Sequence, residues 1–246
     1  FELAVNRFRL DEFDLDEFRP RVLASAAGNP GQDGYPEIAV AGAGVHLFEP
    51  DAFTDCADPP IAHFIKIYHN LGADPNLAWD GPNADMALSE VQILDIGDAD
   101  PQMWAMELAF ADVTGINGPD LVLVGQDPDV PAGFLVVFTN NGDGTFNPTP
   151  QVWQTTVPLE GVVVKDFDLD GDIDVIASSS NLHGDWLCST AEQDAVVVFK
   201  NTTDQTGLHF TILPPLDLGI PGNFAPGDIA AGDFNALSPG QPLIDL

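Results

Sequence analysis

The chain has 246 residues, 45% of them hydrophobic, enough for a substantial buried core and too many for a chain disordered by composition. Its 39 acidic residues against 7 basic ones give a formal net charge of −32. That excludes a nucleic-acid binder, because phosphate contacts need clustered Lys and Arg, and it argues against docking on an anionic membrane.

No apolar run approaches the ~18–20 residues that a bilayer crossing needs. Asp (30), Gly (23) and Pro (21) are abundant, and these turn formers favour short strands joined by loops over helices. In chain order, residues 1–18 contain FELAVNRFRL, expected as an outlying strand of a preceding or closing unit. Four of the seven basic residues (Arg7, Arg9, Arg19, Arg21) fall in or near this segment, leaving Lys66, Lys165 and Lys200 for the rest.

A repeat then begins. Residues 19–80 carry an acidic loop, Asn29-Pro-Gly-Gln-Asp33-Gly34-Tyr-Pro-Glu37, before the apolar IAVAG, then HFIKIYHN ending at Asn70, then NLAWDG with Trp79. Residues 81–103 read as an insertion between units. Residues 104–157 repeat the order with Asp112-Val-Thr114-Gly-Ile116-Asn117-Gly-Pro-Asp120 before LVLVG, FLVVFTN ending at Asn140, and PQVWQT with Trp153. Residues 158–218 do so again, with Asp166-Phe-Asp168-Leu-Asp170-Gly171-Asp172-Ile-Asp174 before VIASS, AVVVFKN ending at Asn201, and LHFTIL. Residues 219–246 start a further unit, with Asp233, Asn235 and Asp245 in a stretched loop.

Each unit thus reads as strand, acidic loop, strand, variable loop, strand, turn, strand. The strands are β-branched and aromatic, and no segment has a 3.6-residue apolar period. The expected fold is all-β: a β-propeller of four-stranded antiparallel blades, about three complete and partial ones at both ends. Closed propellers have ~4–8 blades, so more chain or neighbouring subunits are expected to complete the ring.

The third loop carries the sharpest chemical signal. Asp166, Asp168, Asp170 and Asp174 stand at positions 1, 3, 5 and 9, with Gly171 at 6 and the carbonyl of Asp172 at 7. That pattern surrounds one point with hard oxygen donors, as Ca2+ requires, and without a cation five aspartates in nine residues would repel one another. An EF-hand would need a Glu at position 12 and flanking helices, whereas position 12 is Ala177 and the flanks are strand-like. The first loop (Asn29, Asp33, Glu37) has Gly31 at position 3 and suits a metal or a plain Asx-type turn equally. The second (Asp112, Thr114, Asp120) has Ile116 at a ligand position and leans towards the turn, and the fourth (Asp233, Asn235, Asp245) is weaker still.

The Asp-x-Asp-x-Asp-Gly-x-x-Asp pattern before an apolar strand, with NNGDGTF at Asn140 to Phe146, resembles the FG-GAP/VCBS repeats of integrin-α-type β-propellers. The resemblance spans about residues 20–246. It implies a propeller, often seven-bladed, with calcium between the first and second strands of a blade, in an extracellular, cell-surface or periplasmic adhesion or carbohydrate-binding protein. The long variable segments 43–61, 81–103, 126–133 and 180–194 would then map to the opposite face. There Trp104, His183, Asp185 and Trp186 are candidate contacts for a protein or carbohydrate partner.

The expected function is a calcium-stabilised, non-catalytic binding or assembly module. The alternatives are the propeller of a calcium-dependent carbohydrate-active lyase or hydrolase, and a structural subunit of an extracellular, salt-rich assembly. No nucleophile elbow, phosphate loop or His-x-x-x-His pair favours catalysis. Cys56 and Cys188 allow one disulfide, which sequence neither requires nor excludes, and Asn201-Thr-Thr203 fits a glycosylation sequon.

Overall fold

The computed structural model describes residues 18–32, 34, 36–46, 61–70, 88–96, 104–127, 132–179, 195–217 and 229–231. Among them every regular element is a strand. The first sheet contains β1 (Phe18–Gly28), β2 (Glu37–His46), β3 (Ile61–Asn70) and β4 (Leu88–Asp95). The second contains β5 (Trp104–Ala111), β6 (Asp120–Asp127), β7 (Ala132–Phe138) and β8 (Gln151–Thr155). The third contains β9 (Val162–Lys165), β10 (Asp174–Ser179), β11 (Ala195–Asn201) and β12 (Phe210–Ile212), with the short β13 (Leu216–Asp217) also pairing with β11.

Each sheet is antiparallel, and its four main strands lie in chain order. The pairing runs without a register shift from β6 to β7 and from β10 to β11, whereas the pairings β1–β2, β2–β3, β3–β4 and β5–β6 each carry one. Leu123 faces Val136 across β6 and β7, and Ala177 faces Val197 across β10 and β11. Among the described residues no sheet closes on itself.

The sheets stack face to face, and the alternation of side chains along a strand explains how. In β6, Leu121 and Leu123 join Ile65, Ile67 and Leu94 of the first sheet in one core. Their neighbours Val122 and Val124 point the other way, into a second core with Val175, Ala177, Val197 and Phe199 of the third sheet. With both faces covered, a strand cannot alternate apolar with polar residues, hence the unbroken LVLV and LVVF runs of β6 and β7. Each fully buried Leu or Val contributes roughly 1.5–3 kcal/mol relative to exposure.

The first strands of successive sheets lie against one another, β1 on β5 and β5 on β9. Glu107 of β5 accepts the backbone N–H of Val162, which fixes the start of β9. This stacking line is narrow. A Cβ on Gly28 would come within 2.6 Å of Phe110 Cδ2 and 2.8 Å of Phe110 Cβ.

Two features depart from the sequence reading. Segment 81–103, expected as an insertion between units, contains β4, the fourth strand of the first sheet, paired with β3 through contacts such as Lys66 with Ile93. Trp79, expected in that strand, lies outside the described residues, as do FELAVNRFRL, both cysteines and most of 219–246. The remaining strand assignments, including HFIKIYHN, FLVVFTN, PQVWQT and AVVVFKN, coincide with β3, β7, β8 and β11.

Because Phe110 Cβ cannot retreat without moving its backbone, Gly28→Ala is expected to lower stability by about 1–3 kcal/mol. Urea unfolding of the two proteins measures this directly, and an unchanged midpoint would mean that the first two sheets are not packed so closely.

Candidate metal centre

The three acidic loops connect the first strand of each sheet to the second: 29–36 before β2, 112–119 before β6 and 166–173 before β10. They share left-handed turns at two positions. Position 4 is left-handed in all three, with φ of 54° at Gln32, 70° at Gly115 and 63° at Leu169. Position 6 is left-handed too, with φ of 91° at Gly34, 65° at Asn117 and 104° at Gly171. Gly and Asn tolerate this region, whereas an ordinary side chain such as that of Leu169 is strained there. The second loop makes the same two left-handed turns with Thr114 and Ile116 at positions where the third has Asp168 and Asp170, and is left-handed also at Gly118. In the second and third loops the corner therefore owes its shape to backbone bonding that they share, and the acidic residues of the third add to it.

The common bonding is centred on position 9. Asp174 accepts the N–H of Phe167 on one oxygen at 2.9 Å and that of Asn201 on the other at 2.8 Å. Asp120 repeats the arrangement, accepting Val113 N–H at 3.1 Å and Thr114 N–H at 2.9 Å on Oδ2, and Asn140 N–H at 2.8 Å on Oδ1. The Thr114 hydroxyl adds a further bond to Asp120 Oδ2 at 3.0 Å. In the first sheet position 9 is the buried Glu37, whose Oε1 is 2.9 Å from Nδ1 of His69.

Asn140 and Asn201, at the ends of the third strands of the second and third sheets, complete a latch. Asn201 donates through Nδ2 to the carbonyl of Ile173 in its own loop at 3.0 Å and to that of Val113 in the preceding loop at 2.8 Å. Asn140 likewise reaches Pro119 O at 2.8 Å and Pro30 O at 2.9 Å. Position 2 of one loop thus accepts the asparagine of the next unit. Asn201 is buried and both its amide hydrogens are engaged, so the sequon it heads is closed in the folded protein.

In the third loop, carboxylate oxygens of Asp166, Asp168 and Asp174 lie within 4.8 Å of one another. Oxygens on opposite sides of a calcium ion, each at ~2.3–2.6 Å, are separated by about 5 Å, so one ion can touch all three. The loop's own amides already turn several carboxylates inward. Asp166 accepts from Asp170 N–H at 3.1 Å and Gly171 N–H at 3.0 Å, and Asp170 accepts from Asp172 N–H at 3.1 Å. A side-chain cation joins them. The Lys200 ammonium lies on Asp168 Oδ2 and 3.1 Å from Asp170 Oδ2.

The ionisation of these groups follows their surroundings. Burial pushes the carboxyl groups of Asp120 and Asp174 above the usual aspartate range, against the opposing pull of the backbone bonds that each accepts. Exposed Asp170 is held below that range, first by the Asp172 N–H and then by Lys200. Hydrogen bonds to Asp168 and Asp170 raise the Lys200 ammonium above ordinary lysine.

Of the expected ligands, the third loop brings together Asp166, Asp168 and Asp174, with Asp170 beside them on the Lys200 side and Asp172 exposed at the turn. Asp112, Thr114 and Asp120 form a turn in which Thr114 serves Asp120, and no three acids converge there. Asn29 and Glu37 flank the first loop. Asn29 Oδ1 is buried with no hydrogen bond among the described residues, and Glu37 is paired with His69. Asp33, Asp233, Asn235, Asp245, His183, Asp185 and Trp186 lie outside the described residues. Trp104 opens β5, its backbone opposite Gln126.

Sequence reasoning missed Lys200 and the two asparagine latches. The available signal was positional: His69 and Lys200 each directly precede the asparagine of their unit, and each reaches its own acidic loop.

The sequence profile described as an FG-GAP-like repeat matches residues 112–177, from the second acidic loop through the third and into β10. That stretch is about a quarter of the chain, and it is consistent with a protein of the FG-GAP/VCBS repeat type. No curated protein matches the chain significantly.

Since an asparagine side chain offers one acceptor oxygen where Asp120 uses two, Asp120→Asn must abandon either the Asn140 N–H or the pair at Val113 and Thr114. The expected loss is about 2–4 kcal/mol, independent of added calcium, as each donor left unpaired in a buried setting costs about 1–3 kcal/mol. Denaturant titration in chelator would expose the error if Asp120→Asn unfolded at the wild-type midpoint.

Proposed function

We propose that the chain is a calcium-stabilised, non-catalytic binding or assembly module built from consecutive blades of a β-propeller. The observation that carries this reading is the recurrence of one nine-residue corner in three stacked sheets, with carboxylates gathered into a cation-sized cluster in the third. Asp166, Asp168, Asp170 and Asp174 would hold the ion, aided by the carbonyl of Asp172. An all-oxygen donor set with four carboxylates suits calcium, a hard cation that accepts irregular geometry. Bound there, the ion supplies charge neutralisation and ties β9 to β10 at their shared corner; it has no reaction to perform.

Partner recognition belongs, on this reading, to the other end of the strands. In each sheet the connection between second and third strands leaves from the end opposite the acidic loop: 47–60, 128–131 and 180–194. Loops on a rigid scaffold commonly carry recognition while the scaffold carries stability. A protein or carbohydrate partner outside the cell fits this arrangement, and the acidic surface stays soluble where counter-ions are plentiful.

Extracellular calcium modules bind with dissociation constants on the order of 10⁻⁴–10⁻³ M, so 10 mM calcium should stabilise the fold by about 1.4–2.7 kcal/mol. For a chain of this length that is a rise of roughly 3–10 °C in melting temperature. Asp170→Ala is expected to melt near the wild type in chelator and to lose most of the calcium-induced rise. A wild-type melting curve that is the same in chelator and in 10 mM calcium would reject calcium as the stabilising ion.

A further inference from the structure

We propose that Lys200 is a resident cation of the third acidic loop, one that calcium must displace, and that it thereby sets the calcium affinity of this corner. The inference rests on the calcium reading above and adds a determinant from outside the loop.

The lysine enters from a neighbouring strand. It is the penultimate residue of β11, its backbone is opposite Thr211 of β12, and the next residue, Asn201, is held by Asp174 and by its own two amide bonds. The root of the side chain is therefore fixed by the same carboxylate that closes the loop, while its four-carbon stem can swing. Its ammonium rests on Asp168 Oδ2 and near Asp170 Oδ2. Asp168 also belongs to the converging trio, so the lysine and a metal ion draw on the same carboxylates.

Charge decides the direction of the exchange. One ammonium against five aspartates leaves the loop strongly negative, so a divalent ion has more to gain there than a monovalent group. The ammonium and the ion cannot both sit on Asp168 without repulsion, and the stem lets the ammonium withdraw to water, where it is well hydrated. The side chains of Lys200 and Asp168 are 35% and 37% exposed, so that route is open. The second unit offers an internal contrast. Thr139 stands there in place of the lysine, the loop has two acids, and the Thr114 hydroxyl answers Asp120.

The test is calorimetric calcium titration of the chelator-stripped full chain and of Lys200→Met, which keeps the length of the stem and removes its charge, together with melting curves in chelator. In water, a unit charge held about 4 Å from a divalent ion would change its affinity on the order of 30-fold, and partial withdrawal reduces this. Lys200→Met is therefore expected to bind calcium on the order of tenfold more tightly. In chelator it should melt below the wild type, and the calcium-induced rise should be larger. Lys200→Gln, neutral but able to hydrogen-bond, takes its place if the methionine variant fails to fold.

Equal affinities in wild type and variant would overturn the role of Lys200 and leave the calcium reading standing. Binding by the variant alone would support Lys200 as the competing cation while removing calcium from the wild-type protein. No binding by either up to 10 mM would overturn both.

Discussion

A buried carboxylate at the ninth loop position holds together three pieces of backbone that have no other reason to meet. In the third sheet Asp174 grips the start of the acidic loop through Phe167 and the end of β11 through Asn201. Asn201, so positioned, extends its amide to the preceding loop and fixes the spacing between the second and third sheets. Asp120 and Asn140 do the same one unit earlier. The carboxylate is costly to bury: burial disfavours its charged form and pushes both aspartates above their usual range, and its backbone donors offset that cost. Corner, strand end and inter-sheet contact thus depend on one side chain in each of the second and third units.

This changes what an ion has to do. The loops keep their left-handed turns at positions 4 and 6 whether or not acids occupy positions 3 and 5, so the turn precedes the metal site. The acids of the third loop are a surplus on a shape already specified. They are drawn inward by the amides of Asp170, Gly171 and Asp172 and met on one side by Lys200. A divalent cation would relieve the remaining repulsion. The second loop, with Thr114 and Ile116, is the same corner without the surplus.

The repeat was legible because its markers are local: a nine-residue loop, an apolar strand after it, and an asparagine closing the third strand. The two-sided burial of β6 and β7 could also be read from their unbroken apolar runs. What escaped was long-range or weakly patterned. LSEVQILD forms β4, yet its interspersed polar residues give it the look of a connecting loop, and of its described side chains Ile93 is exposed while Leu94 is fully buried. Spacing displays the carboxylates of Asp120 and Asp174 but hides their backbone partners at Asn140 and Asn201, which arrive only when the third strands pair. Lys200 lies 32 residues from Asp168 in sequence, too far for any loop pattern to join them.

The engagement of Asn201 bears on the sequon that it heads. Glycan transfer acts on the side-chain nitrogen, and attachment leaves that atom a single hydrogen in place of the two now given to Val113 and Ile173. Sugar added before β11 settles would leave one carbonyl of the seam unanswered and a bulky polar group wedged between the second and third sheets. A glycan on Asn201 and the intact seam between the second and third sheets therefore exclude one another.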